Sequence, residues 1–356
     1  RERAVRRDVL RRRGGRPAPD GGMTPVPGDE VTICIPAWRS QAFIQRTLDC
    51  ARRQTHERVR VLVSVDLCDD GTADICRANA GRDPRLEVFA HEERLGWARN
   101  VNFLLDRVRT PYFFLYFHDD VILPPYVATM LAALRARPEA TSVHCDMGHF
   151  GASDHVSVGF DYSGGPEARL ASFLLVSRRG SPLRSLTRAA LLRDGLRLPT
   201  DAVDGLWANE PFLLTLVGAG PALRVPEALY LRWDKRAGGL TDGWKGLSLQ
   251  QLYDGYAANT ATFLRIIERF VPAPAARERL TYCVYLHQMA RIRRIEADRQ
   301  APAPIEPERV HPAFGGIETR PPDLSGLGEP IAHAARDRHD RLRRVERRRR
   351  RAAGPA

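Results

Sequence analysis

The chain from residue 31 to residue 117 alternates between short apolar runs and amphipathic stretches. Each apolar run is rich in β-branched or aromatic residues and is bounded by polar or turn residues, which is typical of strands. The predicted strands are residues 31–37, 58–66, 85–90 and 112–117. The stretches between them have apolar residues at helical spacing, and the predicted helices are residues 41–54, 72–81 and 96–109. Strand, helix and strand repeated three times predict a parallel sheet with helices on its faces.

Beyond residue 138 the pattern loosens into shorter pieces. Apolar spacing predicts a helix over 204–220, strand-like pieces within 221–233, and two amphipathic helices over 247–270 and 277–299. A Pro-rich stretch then begins a tail whose composition predicts disorder. The predicted parts are a disordered basic extension (1–30), an α/β domain (31–235), a segment followed by C-terminal helices (236–300) and a disordered Pro/Arg-rich tail (301–356).

The positive charge of the chain lies at its two ends. The formal net charge is +12, and residues 1–22 and 336–356 together supply all of it, so the 313 residues between them are electrically balanced. The tails have no aromatic residues interleaved for base stacking, so we expect no specific nucleic-acid binding. Weak contact of the Arg-rich tail with an anionic membrane is a hypothesis that this charge leaves open.

The six cysteines include no CxxC pair and no zinc-finger-like spacing with histidine. Reduced thiols in a cytosolic protein fit this pattern better than structural zinc or a disulfide framework. No apolar run approaches the roughly 18 residues that would span a bilayer. We therefore expect a cytoplasmic enzyme, with peripheral attachment to the inner membrane face as an option. We also expect Met23, just before the first predicted strand, to be the native start.

Polar and aromatic residues follow three of the predicted strands. Pro36-Ala37-Trp38 ends the first, Asp66 and Asp70 follow the second, and His118-Asp119-Asp120 follows the fourth. Because ligands bind beyond the carboxyl ends of parallel strands, these residues are expected on one rim. Adjacent carboxylates suit a divalent ion that also holds phosphate oxygens, although a solvated turn would contain the same residues.

In order and spacing, the stretches "VTICIPAW", "VLVSVDLCDDGTAD", "ERLGWARNVNFLL" and "PYFFLYFHDDVILPPY" resemble the family 2 glycosyltransferases of GT-A fold. The resemblance covers roughly residues 31–235. It implies a Rossmann-like mixed sheet flanked by helices, and a nucleoside-diphosphate-sugar donor with an acceptor hydroxyl as the second substrate.

The resemblance also assigns the nucleotide-sugar site. Pro36, Ala37 and Trp38 would edge the base pocket, and Asp66 would hydrogen-bond the base or the ribose. Asp70 competes for that role, since "DDGTAD" also fits the family pattern. Arg99 and Asn100 would lie near the nucleotide sugar.

At the fourth strand end, His118 stands where the family has the first acid of its Asp-x-Asp motif. Asp120 would then be the principal ligand of Mn²⁺ or Mg²⁺, with Asp119 beside the nucleotide sugar. His118 would coordinate the ion or hydrogen-bond phosphate, and an imidazole ligand fits Mg²⁺ less well than Mn²⁺.

The resemblance places the catalytic base at Glu210 in "WANEPFLLTLVGAG"; the alternative is that Glu210 only complements the helix dipole. Arg236, with Arg232 and Lys235, would bind phosphate in a closing lid, and Asp234 would stand near a histidine position of relatives.

These assignments predict a metal-dependent, inverting glycosyltransferase of the hexosyltransferase type. A sugar-nucleotide-binding relative or scaffold without catalysis is one alternative. A sugar nucleotidyltransferase is another, although "PAWRSQAF" lacks the glycine-rich loop that such an enzyme needs after its first strand.

Overall fold

The computed structural model describes residues 28–176, 182–200, 205–234, 245–301 and 303–352, with side chains as far as residue 347. The chain divides into two compact units. The first contains residues 28–161, 182–198 and 222–234, and the second contains the remaining described residues.

The first unit is built on a mixed sheet. Its strands are β1 (Val31–Ala37), β2 (Val59–Val65), β3 (Leu86–Ala90), β4 (Tyr112–Leu115), β5 (Val121–Ile122), β6 (Ser142–Gly151), β7 (Val156–Ser157), β8 (Leu186–Arg188) and β9 (Ala222–Asp234). Their order in the described part of the chain is β3-β2-β1-β4-β8-β6-β9-β5, with β7 beside β6. Strands β3, β2, β1 and β4 are mutually parallel, whereas β8 is antiparallel to both β4 and β6.

The helices of the two units are α1 (Ile44–Arg52), α2 (Thr72–Ala80), α3 (Trp97–Leu105), α4 (Tyr126–Arg135), α5 (Pro166–Leu175), α6 (Ala190–Arg193), α7 (Asn209–Ala219), α8 (Leu249–Phe270), α9 (Pro274–Asp298), α10 (Pro307–Val310) and α11 (Glu329–Ala352). None of those described combines the length and the apolar content needed to cross a bilayer.

The predicted strands and helices of residues 31–117 are confirmed, with small differences at their ends. All seven residues of β1 are buried, as expected for a strand inside a sheet covered on both faces. β4 ends two residues earlier than predicted, and the Phe117 amide donates to the Tyr230 hydroxyl at 3.3 Å instead of to a neighbouring strand. Residues 222–234 form one strand rather than two pieces, with a register shift opposite Asp146.

The predicted domain boundaries differ from those of the structure. Helices α5 and α7 fall within the range predicted as one domain, 31–235, but belong to the second unit, where α5 packs on α9 and α7 packs on α8. The tail predicted to be disordered from residue 301 is helical over Glu329–Ala352. This helix buries Ala332, Ala335 and Leu342, so an apolar stripe anchors a segment whose charge indicated disorder.

We expect His144, on β6, to make the first unit sensitive to acid. The side chain is 1% exposed, and burial lowers its pKa to about 4, from about 6.5 in an unfolded chain. Between these values the unfolded chain gains a proton that the folded chain does not, so the contribution to stability is present at neutral pH and is lost as pH falls. We expect a loss of about 3 kcal/mol by pH 4. Thermal unfolding from pH 7 to pH 4.5 should show a steeper fall for the wild type than for His144→Gln, and equal slopes would contradict the assignment.

Candidate functional site

The carboxyl ends of β1, β2 and β4 meet at one edge of the sheet because these strands are parallel neighbours. At this edge the imidazole Nδ1 of His118 lies 2.8 Å from the carbonyl oxygen of Pro36. The Thr47 hydroxyl, on α1, donates to the carbonyl oxygen of His118 at 2.7 Å. The end of β2 is joined to the end of β1 through Asp66, whose backbone amide donates to the Ala37 carbonyl at 2.9 Å. The predicted rim is therefore formed by the residues expected there.

His118 keeps one ring nitrogen available. A carbonyl can only accept, so Nδ1 carries the proton and Nε2 has a lone pair. Nε2 is buried, and no hydrogen-bond partner for it exists among the described residues. The ring is held in place by stacking on Phe43, with centroids 5.5 Å apart and an interplanar angle of 16°. A fixed, buried imidazole lone pair fits a ligand to a transition-metal ion or an acceptor for a ligand proton.

Asp120, predicted as the principal metal ligand, faces the interior. Its side chain is 1% exposed. One carboxylate oxygen accepts from Arg184 at 3.0 Å and from the Tyr230 hydroxyl at 2.8 Å, and the other accepts from the Trp233 amide at 3.0 Å. Burial acts to raise the pKa of Asp120, and Arg184 is the principal group that opposes this rise. Because both oxygens already have partners inside the protein, this arrangement does not fit a metal ligand.

Asp119 is the carboxylate of the pair that is partly exposed. Its backbone oxygen accepts from the Arg46 guanidinium at 2.7 Å. That guanidinium lies over the rings of Phe150 and Trp233, with centroid distances of 5.5 and 5.3 Å. Arg46 on α1, packed against β6 and β9, therefore holds the backbone of Asp119 at this edge.

Asp66 organises the second strand end. Its carboxylate is 1% exposed and accepts from the amides of Leu95 and Gly96 at 2.7 and 3.0 Å. It also pairs with Arg94. The Arg94 guanidinium lies 4.0 Å from the centroid of the Trp38 ring, so Asp66 indirectly positions a cation on the predicted base pocket.

Asp70, the competing residue, connects two loops. Its oxygens accept from the Gln41 amide at 3.0 Å and the Thr72 amide at 3.2 Å. Partial burial acts to raise the pKa of Asp70, but the hydrogen bonds from Thr72 and Gln41 outweigh it and the pKa is lowered. These bonds give Asp70 a structural role at the start of α2. Asp66 is likewise fully partnered, by the amides of Leu95 and Gly96 and by Arg94, so it can act on the base pocket through Arg94 and Trp38.

The two residues predicted on α3 are placed differently. Asn100 is buried, and its amide donates to the carbonyl oxygens of Ser64 and Ala37 at 3.2 and 3.4 Å. Its Oδ1 is buried without a hydrogen-bond partner in the described part of the chain. Arg99 is exposed on the helix surface. Lys235 and Arg236, predicted to bind phosphate, lie outside the described residues.

Glu210 lies in the first turn of α7, in the second unit, and is 6% exposed. It forms an ion pair with Arg291, and one of its oxygens lies 3.4 Å from Nε2 of His287. Arg291 in turn lies over the rings of Trp207 and Tyr256. These partners fix the Glu210 carboxylate more firmly than an interaction with the helix dipole alone would.

Sequence reasoning missed Arg94 and Arg184. Arg94 was detectable, since it lies in the quoted "ERLGWARN" next to the predicted helix. Arg184 had no signal, because it reaches Asp120 from 64 residues further along the chain, in a segment without a recognisable motif.

Part of this sequence is similar to known proteins. Residues 32–159 match the model of the glycosyl transferase family 2. The chain resembles the family 2 glycosyltransferases. Glycosyltransferase GlyA of Streptococcus pneumoniae is 24% identical over 102 residues, which are 29% of this chain and 14% of that protein. The processive diacylglycerol β-glycosyltransferase of Mycoplasma pneumoniae is 28% identical over 97 residues, 27% of this chain and 28% of that protein. The chain thus spans less than a third of the length of these two glycosyltransferases.

The fold is shared over a longer range. The structure of residues 1–349 of S. aureus TarS in complex with UDP matches with a TM-score of 0.63 and 16% identity, covering 91% of this chain and 92% of that one. The same part of TarS in complex with UDP-GlcNAc matches with a TM-score of 0.63 and 17% identity, covering 91% of this chain and 92% of that one. These matches confirm the predicted GT-A fold class.

Proposed function

We propose that this protein is a glycosyltransferase that moves a sugar from a nucleoside-diphosphate sugar to an acceptor hydroxyl, with inversion and with a divalent cation. The main observation behind the proposal is that four residues lie together at the carboxyl edge of the sheet: Trp38, Asp66, His118 and Asp119. The family resemblance supports glycosyl transfer, and the TarS complexes with UDP and UDP-GlcNAc support a nucleotide-linked donor.

The donor is expected to lie along this edge. Trp38, with the cation of Arg94 over its ring, provides a surface on which a base can stack, and Asp66 holds that cation in place. Asn100 lies beside the ends of β1 and β2, to which its Nδ2 donates, and its Oδ1 is an acceptor without a partner among the described residues.

The cation is proposed to bind at His118 and Asp119 rather than at Asp120. An imidazole nitrogen and a carboxylate oxygen suit Mn²⁺ better than Mg²⁺. A divalent ion at this place would neutralise the diphosphate leaving group. His118 fits the role because its ring is held by the bond from Nδ1 to the Pro36 carbonyl, and because its Nε2 is buried and unpaired among the described residues.

Glu210 is proposed as the proton acceptor for the acceptor hydroxyl. Inversion needs a base that acts on the face opposite the leaving group, and the ion pair with Arg291 holds the Glu210 carboxylate in one place within its own unit. Sugar-nucleotide binding without transfer is a second candidate, because the same ion pair neutralises the carboxylate that would take the proton.

Thermal-shift measurements with UDP and GDP, each with and without Mn²⁺, test the proposed function. We expect the unfolding temperature to rise with at least one nucleotide, and to rise more when Mn²⁺ is present. No shift with any combination would contradict a nucleotide-sugar site. Release of UDP from UDP-GlcNAc or another UDP-sugar, lost on chelation of the metal, would separate an enzyme from a binding protein.

Contact with an anionic membrane is also proposed, through the exposed arginines of α11. Arg343, Arg344 and Arg347 are exposed on this helix, whose opposite face is buried. We expect the protein to sediment with vesicles that contain phosphatidylserine and not with neutral vesicles, and the binding to weaken with salt. Equal sedimentation with both vesicle types would contradict this contact.

A further inference from the structure

A buried histidine of the second unit lies against the proposed base. His287, on α9, is 0% exposed. Its Nδ1 lies 2.9 Å from the carbonyl oxygen of Leu174, on α5, and its Nε2 lies 3.4 Å from a carboxylate oxygen of Glu210, on α7. From α8 the Phe263 ring packs on the imidazole, with centroids 5.9 Å apart. The imidazole is therefore held between two oxygen atoms, one of them from the proposed base.

These two oxygen atoms determine where the ring carries its proton. A carbonyl oxygen can only accept, so Nδ1 of His287 carries the proton and Nε2 has the lone pair. A carboxylate can also only accept, so this lone pair faces the Glu210 oxygen. Their separation is 3.4 Å, whereas an N–H···O hydrogen bond measures about 2.7–3.2 Å. In this state the two atoms share no proton, and one added proton would join them.

Arg291, also on α9, keeps the Glu210 carboxylate ionised. Its guanidinium pairs with the same oxygen that faces His287, and it lies over the Tyr256 ring of α8. An adjacent cation makes a carboxylate a weaker proton acceptor, so the imidazole is the better place for a proton. An imidazolium at His287 would donate from both nitrogens, to the Glu210 carboxylate and to the Leu174 carbonyl. The added charge would therefore be paired inside the protein.

We propose that Glu210 and His287 together accept the proton of the acceptor hydroxyl, with His287 as a positioning residue that acts through Glu210. This inference rests on the proposed function, in which Glu210 is the base. The acceptor oxygen bonds to the anomeric carbon, the bond from that carbon to the diphosphate breaks with its electron pair staying on the diphosphate, and the hydroxyl proton moves to Glu210. It then passes to Nε2 of His287, which restores the carboxylate between two cations, Arg291 and the imidazolium.

NMR of the full chain with ¹⁵N-labelled histidine, recorded without nucleotide over a range of pH, measures the protons on this ring. The signals of His287 are identified by its contact with the Phe263 ring. We expect a neutral ring with its proton on Nδ1 at high pH, and uptake of a second proton on Nε2 as pH falls. In Glu210→Gln this uptake should move down by about 1–3 pH units, because the carboxylate that stabilises the imidazolium is gone. The matched control Glu278→Gln, which changes an exposed carboxylate on α9, should leave it unchanged.

The pH dependence of UDP release by His287→Asn tests the role in catalysis, with UDP-GlcNAc or another UDP-sugar that the wild type cleaves. The shorter amide can still donate to the Leu174 carbonyl, but it has no nitrogen in the place of Nε2. We expect kcat to fall by about 10–100-fold across the pH range, less than in Glu210→Gln, with KM for the donor unchanged. His333→Ala, which removes an exposed histidine from α11, should keep the kcat of the wild type.

Three results would overturn the proposal. One is a neutral His287 ring in the wild type with its proton on Nε2. Another is uptake of the second proton at the same pH in Glu210→Gln and the wild type, and the last is wild-type kcat in His287→Asn. Absence of UDP release by the wild type would instead contradict the proposed function. The NMR titration needs no nucleotide, so it would still decide whether Glu210 and His287 share a proton.

Discussion

Replacing Glu210 with Gln is expected to lower the rate of nucleotide release from a UDP-sugar donor by about 10²–10⁴-fold, the usual contribution of a general base. Gln keeps the size of the side chain but cannot accept a proton. Since Glu210 is 6% exposed and paired with Arg291, the substitution should also cost some stability. Steady-state kinetics with Mn²⁺ should therefore show a lower kcat, whereas UDP affinity should change by less than about twofold, because a base for the acceptor does not touch the nucleotide.

The matched control for this prediction is Glu278→Gln, which changes an exposed carboxylate on α9 of the same unit. It should leave kcat unchanged. Wild-type kcat in Glu210→Gln would contradict the assignment of the base. Loss of UDP affinity together with activity would instead indicate that Glu210 supports the structure of the donor site.

Replacing Arg184 with Met is expected to destabilise the protein by about 3–5 kcal/mol, the cost of removing one partner of a buried ion pair. Asp120 would remain 1% exposed without its cation, so it would either stay charged in the interior or take up a proton. Both outcomes cost free energy. Urea unfolding followed by tryptophan fluorescence would report the loss, since the Trp233 amide bonds directly to Asp120.

Two further variants make this prediction specific. Arg60→Met removes one member of the Arg60–Glu87 pair, which is 3.6 Å apart with side chains 52% and 53% exposed, and it should cost no more than about 1 kcal/mol. The double variant Arg184→Met/Asp120→Asn should regain part of the stability lost in Arg184→Met. Equal effects of Arg184→Met and Arg60→Met would contradict the buried ion pair.

The alternation of strands and helices in residues 31–117 was predictable because burial of both faces of a parallel sheet leaves a strong local pattern. That pattern also placed Trp38, Asp66 and His118 at one edge. It could not distinguish Asp119 from Asp120, because the direction of each carboxylate depends on partners that are remote in sequence. Arg184 and Tyr230 hold Asp120 inside the protein, and neither residue belongs to a motif near the strand end.

The second unit was less predictable for a similar reason. The sequence of α11 contains an apolar stripe through Ala332, Ala335 and Leu342, but its arginines dominate the composition. Its docking depends on tertiary contacts such as the hydrogen bond between the Tyr282 hydroxyl and the His339 ring, at 2.7 Å.

The roles of Asp66, Asn100, His118, Asp119 and Glu210 in binding and catalysis stay predictions.

Calorimetric titration of UDP into the wild type and into Asp119→Asn, each with and without Mn²⁺, tests the central claim that His118 and Asp119 hold a cation for the donor diphosphate. Asp69→Asn is the matched control, because it removes an exposed carboxylate that follows β2 and pairs only loosely with Arg39, at 3.2 Å. We expect Mn²⁺ to tighten UDP binding by at least about tenfold in the wild type and in Asp69→Asn. We expect no such gain in Asp119→Asn, although it folds normally. A full Mn²⁺-dependent gain in Asp119→Asn would contradict the account.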